Sequence, residues 1–161
     1  MHDNVLRLGR PRSFSGLMSL YESSYQRLAR LVPEIDFPFD EAVSRTRLDT
    51  DLHLRVLDRC KYTTDVHLTY WFHDGRRTAP DPDVRVRVYH DAGLAEALRC
   101  GSHLPGVGPN GLDLESGSHL ERRWARNLLL NKWLAFCLSR GHGFATAGRP
   151  RLDQSERANY A

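Results

Sequence analysis

Three segments of the chain combine side chains that bind anions with side chains that stack on flat ligands. These segments cover residues 52–56, 64–72 and 84–89. The candidate binding residues all occupy odd positions in them: Arg55, His67, Trp71, Arg85, Arg87 and Tyr89. Arginine forms forked hydrogen bonds to phosphate and carboxylate groups, and aromatic rings stack on nucleobases. The pattern therefore favours an anionic partner, such as a nucleic acid or a phosphorylated small molecule.

A β-sheet would place these residues on one surface, because successive side chains of a strand point to opposite faces. The even positions of all three segments carry mainly aliphatic or aromatic residues, so one face is predicted to be apolar. We call the other, cationic face the outer face. A solvated surface on which the arginines form only weak ion pairs is the ordinary alternative. A protein partner is a third.

The loop lengths predict which residues lie opposite one another. A three-residue loop at 59–61 keeps the apolar residues of the segments 52–56 and 64–72 on one face. The loop 73–82 contains glycine and prolines and is expected to protrude beside the outer face. The predicted cross-strand pairs are Arg55 with Asp65, His53 with His67, Trp71 with Arg85, and His67 with Tyr89.

Two long amphipathic helices flank the strands. The first is predicted over Ser15–Val32, with Ser15 as its cap and Pro33 at its end. The second begins with Ser118-His119-Leu120-Glu121, which has the form of a capping box, and ends at Gly141. Each helix carries a broad apolar side, and both are expected to cover the apolar face of the sheet.

The predicted fold class is α+β: an antiparallel meander of three or four strands with the N- and C-terminal helices packed on one face. A first strand is expected near 42–48, with a turn at 49–51. Asp91 is expected to cap a short helix over 92–99. Residues 1–13 are predicted to be a flexible arm, 14–144 a single domain, and 145–161 a disordered tail.

The composition fits one globular domain of 161 residues with 40% hydrophobic residues. No apolar run is long enough to cross a bilayer, and the first residues lack the apolar core of a secretory signal. Three scattered cysteines argue against a disulfide framework. A cytoplasmic protein without a membrane partner is expected. The net charge is only +3, but all basic residues except two lysines are arginine.

Sequence motifs for cofactors are weak. Gly106–Gly111 matches the Gly-x-Gly-x-x-Gly pattern of dinucleotide-binding proteins, but no convincing strand precedes it and no helix follows. We therefore predict a loop and no cofactor. Eight histidines show no metal-ligand spacing, so no metal is expected either.

The chain resembles the bacterial YqiB-like family (domain of unknown function 1249). The resemblance is carried by Tyr62-Thr63-Thr64, by Val84-Arg85-Val86-Arg87-Val88-Tyr89-His90-Asp91-Ala92, and by Trp133-Leu134-x-x-Cys137-Leu138-x-x-Gly141. It covers roughly residues 17 to 143. The resemblance implies a cytoplasmic bacterial protein without an established activity, cofactor or catalytic residue.

The favoured function is a non-enzymatic binding or adaptor module that uses the outer face. One alternative is an enzyme for a small anionic substrate, centred on Tyr62, Arg87 and His90, in which His90-Asp91 could supply a base and a carboxylate. Another is a homodimeric structural or interaction protein joined through Trp71.

Overall fold

The chain forms two helices and one five-stranded antiparallel sheet. The computed structural model describes residues 13–74, 77–101 and 118–144. The elements in chain order are α1 (Phe14–Leu31), β1 (Glu41–Thr46), β2 (Asp49–Arg59), β3 (Thr63–Asp74), β4 (Arg77–Tyr89), β5 (Leu94–Gly101) and α2 (His119–Ser139). The strand order in the sheet equals the order in the chain. The α+β meander is thus confirmed, with five strands rather than three or four.

Some predictions fall on other parts of the chain. Three predicted segments lie outside the described residues: the arm (except for Ser13, which is described), the glycine motif Gly106–Gly111, and the tail 145–161.

Local capping explains where the two helices begin and end. Ser13, rather than Ser15, caps α1, and its hydroxyl accepts a hydrogen bond from the Gly16 amide at 3.0 Å. At α2 the predicted capping box is present, with Ser118 and Glu121 satisfying each other's backbone amides. Gly141 follows α2 with φ of +84°, a conformation that favours glycine.

The alternation of faces predicted for the three strands is confirmed. Val86 is fully buried, whereas its neighbour Arg85 is exposed. The even-numbered core residues of β2, β3 and β4 are Leu52, Leu54, Val66, Leu68, Tyr70, Val84, Val86 and Val88. They pack in one core with residues of both helices, including Leu28, Leu31, Leu130 and Leu134. Full burial of such a side chain stabilises a fold by about 1.5–3 kcal/mol.

The predicted register between β2 and β3 is wrong by two residues. Arg55 lies opposite His67, not Asp65, and His53 lies opposite Thr69, not His67. A β-bulge between Val56 and Asp58 shifts the pairing. Because the error is an even number, each side chain stays on its predicted face.

The predicted register between β3 and β4 is also wrong. His67 lies opposite Arg85, not Tyr89, and Trp71 lies opposite Pro80, not Arg85. The strands continue to pair as far as Asp74 and Arg77, so most of the predicted loop 73–82 is strand. The prolines that suggested a loop flank a register shift between Thr69 and Trp71, where a missing amide donor is tolerated.

The predicted short helix over 92–99 is wrong, because this segment contains most of β5. Asp91 lies in the connection to β5 rather than at a helix cap. Gly93 has φ of +65°, and its amide bonds the Tyr89 carbonyl at 2.9 Å, which closes a hairpin. Ala95 and Ala97 are fully buried opposite Val88 and Val86, and this packing outweighs their helix propensity.

The predicted turn at 49–51 also differs. The tight turn lies at Arg47 and Leu48, and residues 49–51 already belong to β2.

Candidate binding face

All six candidate binding residues have the predicted orientation toward the outer face. Arg55, Trp71 and Arg85 are exposed, and His67, Arg87 and Tyr89 are partly exposed. Neither of the two described helices covers these residues, since both helices pack into the core on the opposite side of the sheet. The structure, however, distributes these side chains differently from the predicted registers.

The Asp65 carboxylate accepts three hydrogen bonds from two arginines of the outer face. The Asp65 side chain is only 3% exposed. Arg87 donates to it from Nε at 2.8 Å and from Nη2 at 3.0 Å, and Arg85 donates from Nη2 at 2.8 Å. Burial raises the pKa of Asp65, but the hydrogen bonds and charges of the two arginines outweigh it, so this pKa lies below its usual value. Asp65 was not among the predicted site residues.

Other polar side chains of the outer face also pair with one another. His67 Nε2 and Asp83 Oδ1 are hydrogen-bond partners. The Tyr89 hydroxyl donates to Glu96 Oε2 at 2.9 Å. Burial and the bond to Glu96 raise the pKa of Tyr89, so the phenol stays protonated. Much of the cationic character predicted for this face is thus balanced locally by carboxylates.

A row of basic side chains nevertheless crosses four adjacent strands. It runs through the paired positions Arg55, His67, Arg85 and Arg99. Neighbouring strands lie about 4.8 Å apart, so the row is about 14 Å long. Arg55 bonds to Glu41 at 3.5 Å with both side chains more than half exposed. Arg99 is exposed and makes no hydrogen bond or ion pair with the residues that the structure describes.

Arg99 belongs to the outer face but was missed by the sequence prediction. It lies directly opposite Arg85, on the strand that was predicted as a helix. The alternation of Ala95, Glu96 and Ala97 was the sequence signal that could have identified the strand.

The two aromatic residues lie far apart on the outer face. Tyr89 lies opposite Thr63, and Trp71 follows eight residues later on β3, which corresponds to about 26 Å. Trp71 contacts His53 edge to face, with 6.3 Å between the ring centroids. The structure therefore does not place Trp71 over Arg85, as the predicted register would have.

Of the residues at the centre of the alternative enzyme, Tyr62 and His90 are neighbours, because the His90 amide donates to the Tyr62 carbonyl at 2.9 Å, but Arg87 and His90 lie on opposite faces of the sheet. His90 lies on the core side of the sheet, where its Nε2 is 2.7 Å from Thr64 Oγ1 and its ring contacts Phe37. Arg87 lies on the outer face with Asp65. Tyr62 is 54% exposed, with the Lys61 ammonium above its ring.

A Ser-His-Asp chain does form elsewhere, at the end of α2. Ser44 Oγ lies 2.9 Å from His142 Nδ1, and His142 Nε2 lies 3.2 Å from Asp49 Oδ2. Tyr70 donates to the same carboxylate oxygen at 2.5 Å. Ser44 is 3% exposed and also accepts the Gly143 amide at 3.0 Å, so its hydroxyl is enclosed. These hydrogen bonds hold the segment after α2 against β1 and β2.

Burial makes two cysteines poor nucleophiles: Cys137, which contacts the Tyr70 hydroxyl, and Cys100, which lies in β5. Burial raises the pKa of Cys137 and that of Cys100 to about 12 each, so both stay as thiols near neutral pH. In the described part of the chain, no group of three or more His, Cys, Asp or Glu side chains is arranged to hold a metal ion. Neither of the two described helices is long and apolar enough to cross a membrane.

Comparison with known proteins places the chain in a family. The family model described as "Protein of unknown function (DUF1249)" matches residues 27–143. The protein called "Uncharacterized protein YqiB" in Escherichia coli strains K12 and O157:H7 is 30% identical over 134 residues, which cover 80% of this chain and 90% of the relative. No solved structure matches the chain. The chain therefore belongs to the DUF1249 family, whose members include the YqiB proteins of E. coli.

Proposed function

We propose that the protein is a cytoplasmic, non-enzymatic binding or adaptor module whose outer face holds an extended polyanion, with single-stranded nucleic acid as the partner class. The proposal rests on the basic row of Arg55, His67, Arg85 and Arg99, and above all on the direct opposition of Arg85 and Arg99. Like charges placed opposite each other destabilise a sheet pair. A bound anion between them would remove this repulsion and gain two cationic contacts.

The spacing of the residues favours an extended partner over a compact one. A small phosphorylated molecule would need charge and stacking groups within a few ångströms of one another. On the outer face the basic row lies between Trp71 and Tyr89, which are about 26 Å apart. A flexible strand with repeated phosphates and bases can follow such a surface, because stacking and phosphate contacts are then made at separate points.

The arginines for a test must be chosen by their contacts. Changing Arg85 and Arg87 to glutamate would place two more carboxylates beside the buried Asp65 and would destabilise the fold itself. Arg55 and Arg99 have no buried partner among the described residues. The double variant Arg55→Glu/Arg99→Glu therefore changes the charge of the row and leaves the Asp65 contacts intact.

Binding of a labelled single-stranded oligonucleotide of mixed sequence, followed by fluorescence anisotropy over a range of salt concentrations, tests the proposal. The natural protein is expected to bind with an affinity that falls as salt rises, and the double variant to bind at least tenfold more weakly. Loss of two phosphate contacts should also reduce the salt slope by about 1.4.

The matched control is Arg30→Glu/Lys132→Glu, which makes the same charge change at exposed positions of α1 and α2. This control should retain most of the affinity. No binding by the natural protein, or an equal loss in both double variants, would contradict the proposed function.

A further inference from the structure

The two edges of the sheet differ in how their backbone groups are satisfied. At β5, the Asn127 side chain of α2 accepts the Ala97 backbone amide at 2.8 Å, and the Cys100 thiol donates to the Arg126 carbonyl of the same helix, so α2 contacts this edge. At β1, no described residue outside β2 bonds to the backbone amides or carbonyls of Glu41, Val43 or Arg45. An uncovered strand edge presents a row of free donors and acceptors to another chain.

The hydrogen-bond pattern identifies which residues of β1 face outward. The Asp40 carbonyl accepts the Val56 amide at 2.8 Å, which makes this pair a hydrogen-bonded one. Such pairs alternate along an antiparallel ladder, so Ala42 and Ser44 bond to β2. The backbone groups of Glu41, Val43 and Arg45 therefore point away from β2, toward the open edge.

The open edge of β1 is regular. The register shift near its end places both Thr50 and Asp51 of β2 opposite the single residue Arg45, so the extra residue lies on β2. Neither proline nor lysine, which commonly block an edge strand, occurs in β1. Val43 is 38% exposed at the middle of this strand.

The side chains of β1 complement a second copy of the same strand. In an antiparallel pair centred on Val43, the two Val43 residues lie opposite each other, and each Glu41 lies opposite an Arg45. The same outward backbone groups then form hydrogen-bonded pairs at all three positions. Centring the pair on Glu41 or on Arg45 instead would place like charges together. Of the registers that these outward backbone groups allow, only the one centred on Val43 places each Glu41 opposite an Arg45, so opposite charges favour this register.

We propose that the protein forms a homodimer through antiparallel pairing of β1 with β1 of a second copy, with a two-fold axis at Val43. The existing exposed ion pairs remain compatible with it. Glu41 would lie between Arg55 of its own chain and Arg45 of the second copy, and Arg45 already bonds to Asp51 at 3.2 Å. The two outer faces would join into one continuous surface. The inference does not depend on the proposed polyanion binding.

A charge exchange tests the dimer by sedimentation equilibrium over a range of protein concentrations. Because the two-fold axis doubles each change, Glu41→Arg creates two Arg–Arg contacts and Arg45→Glu creates two Glu–Glu contacts. Each single variant is expected to raise the dissociation constant at least tenfold. The double variant Glu41→Arg/Arg45→Glu restores opposite charges between the copies and should regain most of the affinity. The intrachain pairs with Arg55 and Asp51 are not restored, so recovery reports on the contact between copies.

A cysteine at the proposed axis gives an independent measurement. Residues of a hydrogen-bonded antiparallel pair have Cα atoms about 5.5 Å apart, which suits a disulfide. In a Cys60→Ser background, which removes the exposed native cysteine, Val43→Cys should form a covalent dimer on mild oxidation. Leu57→Cys, exposed on β2 away from the edge, is the control and should not.

A natural protein that stays monomeric up to about 1 mM would overturn the proposal. So would a double charge variant that dimerises no better than the single variants, or equal crosslinking at positions 43 and 57.

Discussion

Arg85 and Arg87 make different contacts with Asp65, although both occupy equivalent alternating positions in the sequence of β4. Both Nε and Nη2 of Arg87 bond to Asp65, which uses the fork of the guanidinium fully. Arg85 gives Asp65 a single bond and remains 45% exposed. Arg87 is thus mainly a structural partner of a buried carboxylate, and Arg85 keeps donors for an external anion.

Removal of the Arg87 guanidinium should therefore cost stability. Arg87→Gln leaves the Asp65 charge buried with one cationic partner instead of two, and we expect a loss of about 2–3 kcal/mol in the free energy of unfolding. Arg99→Gln, the control, removes an exposed cation and should change stability by less than about 0.5 kcal/mol. Urea denaturation at neutral pH measures both. Equal effects would show that the contact to Asp65 does not stabilise the fold.

At the scale of elements, period-two patterning determines which face a side chain occupies, and this could be read from the sequence. Leu54 and Val66 had to point inward together in any acceptable register, so the outer-face residues were identified despite errors in pairing. The register itself depends on bulges at 56–58 and 69–71. Bulges arise from tertiary packing and leave no reliable pattern in a single sequence.

The strand β5 was missed for a related reason. The segment from Leu94 to Arg99 contains good helix formers, and its only strong strand signal is the alternation of two alanines with a glutamate. Small alanines suit this position because β5 packs closely against the helices, a requirement that appears only in the assembled fold. Without the strand β5, the sequence could not predict that Arg99 lies on the outer face or that Asn127 bonds to the Ala97 amide.

The left-handed conformation of Gly93, in the turn between β4 and β5, should make the stability of the fold depend on glycine at this position. Gly93→Ala introduces a Cβ that would meet only the Tyr25 ring, at 3.8 Å, so the expected loss of about 1–2 kcal/mol comes from the positive φ. Gly93→Asn should lose less, since asparagine tolerates this conformation better. Thermal or urea unfolding of both variants provides the comparison. An asparagine variant as unstable as the alanine variant would point to a steric cause instead.

At the scale of the whole molecule, a buried or nearly buried carboxylate lies on each side of the sheet. Asp65 binds two arginines on the outer face, and Asp49 accepts Tyr70 and His142 on the core side. Burial raises the pKa of Asp49, but the hydrogen bonds from Tyr70, the Thr50 amide and His142 outweigh it and place this pKa below its usual value. Both carboxylates therefore stabilise the folded state more when ionised than when protonated.

This arrangement predicts how stability depends on pH. An aspartate in the unfolded chain has a pKa near 3.9, whereas the pKa values of Asp49 and Asp65 are lower in the folded protein. Their contribution is complete above about pH 4 and is lost as the pH falls through the folded values, because the unfolded state then binds protons more readily. Urea unfolding at several pH values between neutral and about pH 3 should show a steep loss of stability for the natural protein at the acid end.

Asp65→Asn isolates the part that comes from the outer face. The variant is less stable at neutral pH, but it has no carboxylate left to protonate at this position. The difference in unfolding free energy from the natural protein should therefore shrink as the pH falls below about 4. Asp91→Asn, which removes an exposed carboxylate, controls for the change in net charge. A difference that stays constant across the pH range would mean that Asp65 contributes through its shape and hydrogen bonds and not through its charge. The electrostatic attraction between Asp65 and the two arginines would then not stabilise the fold.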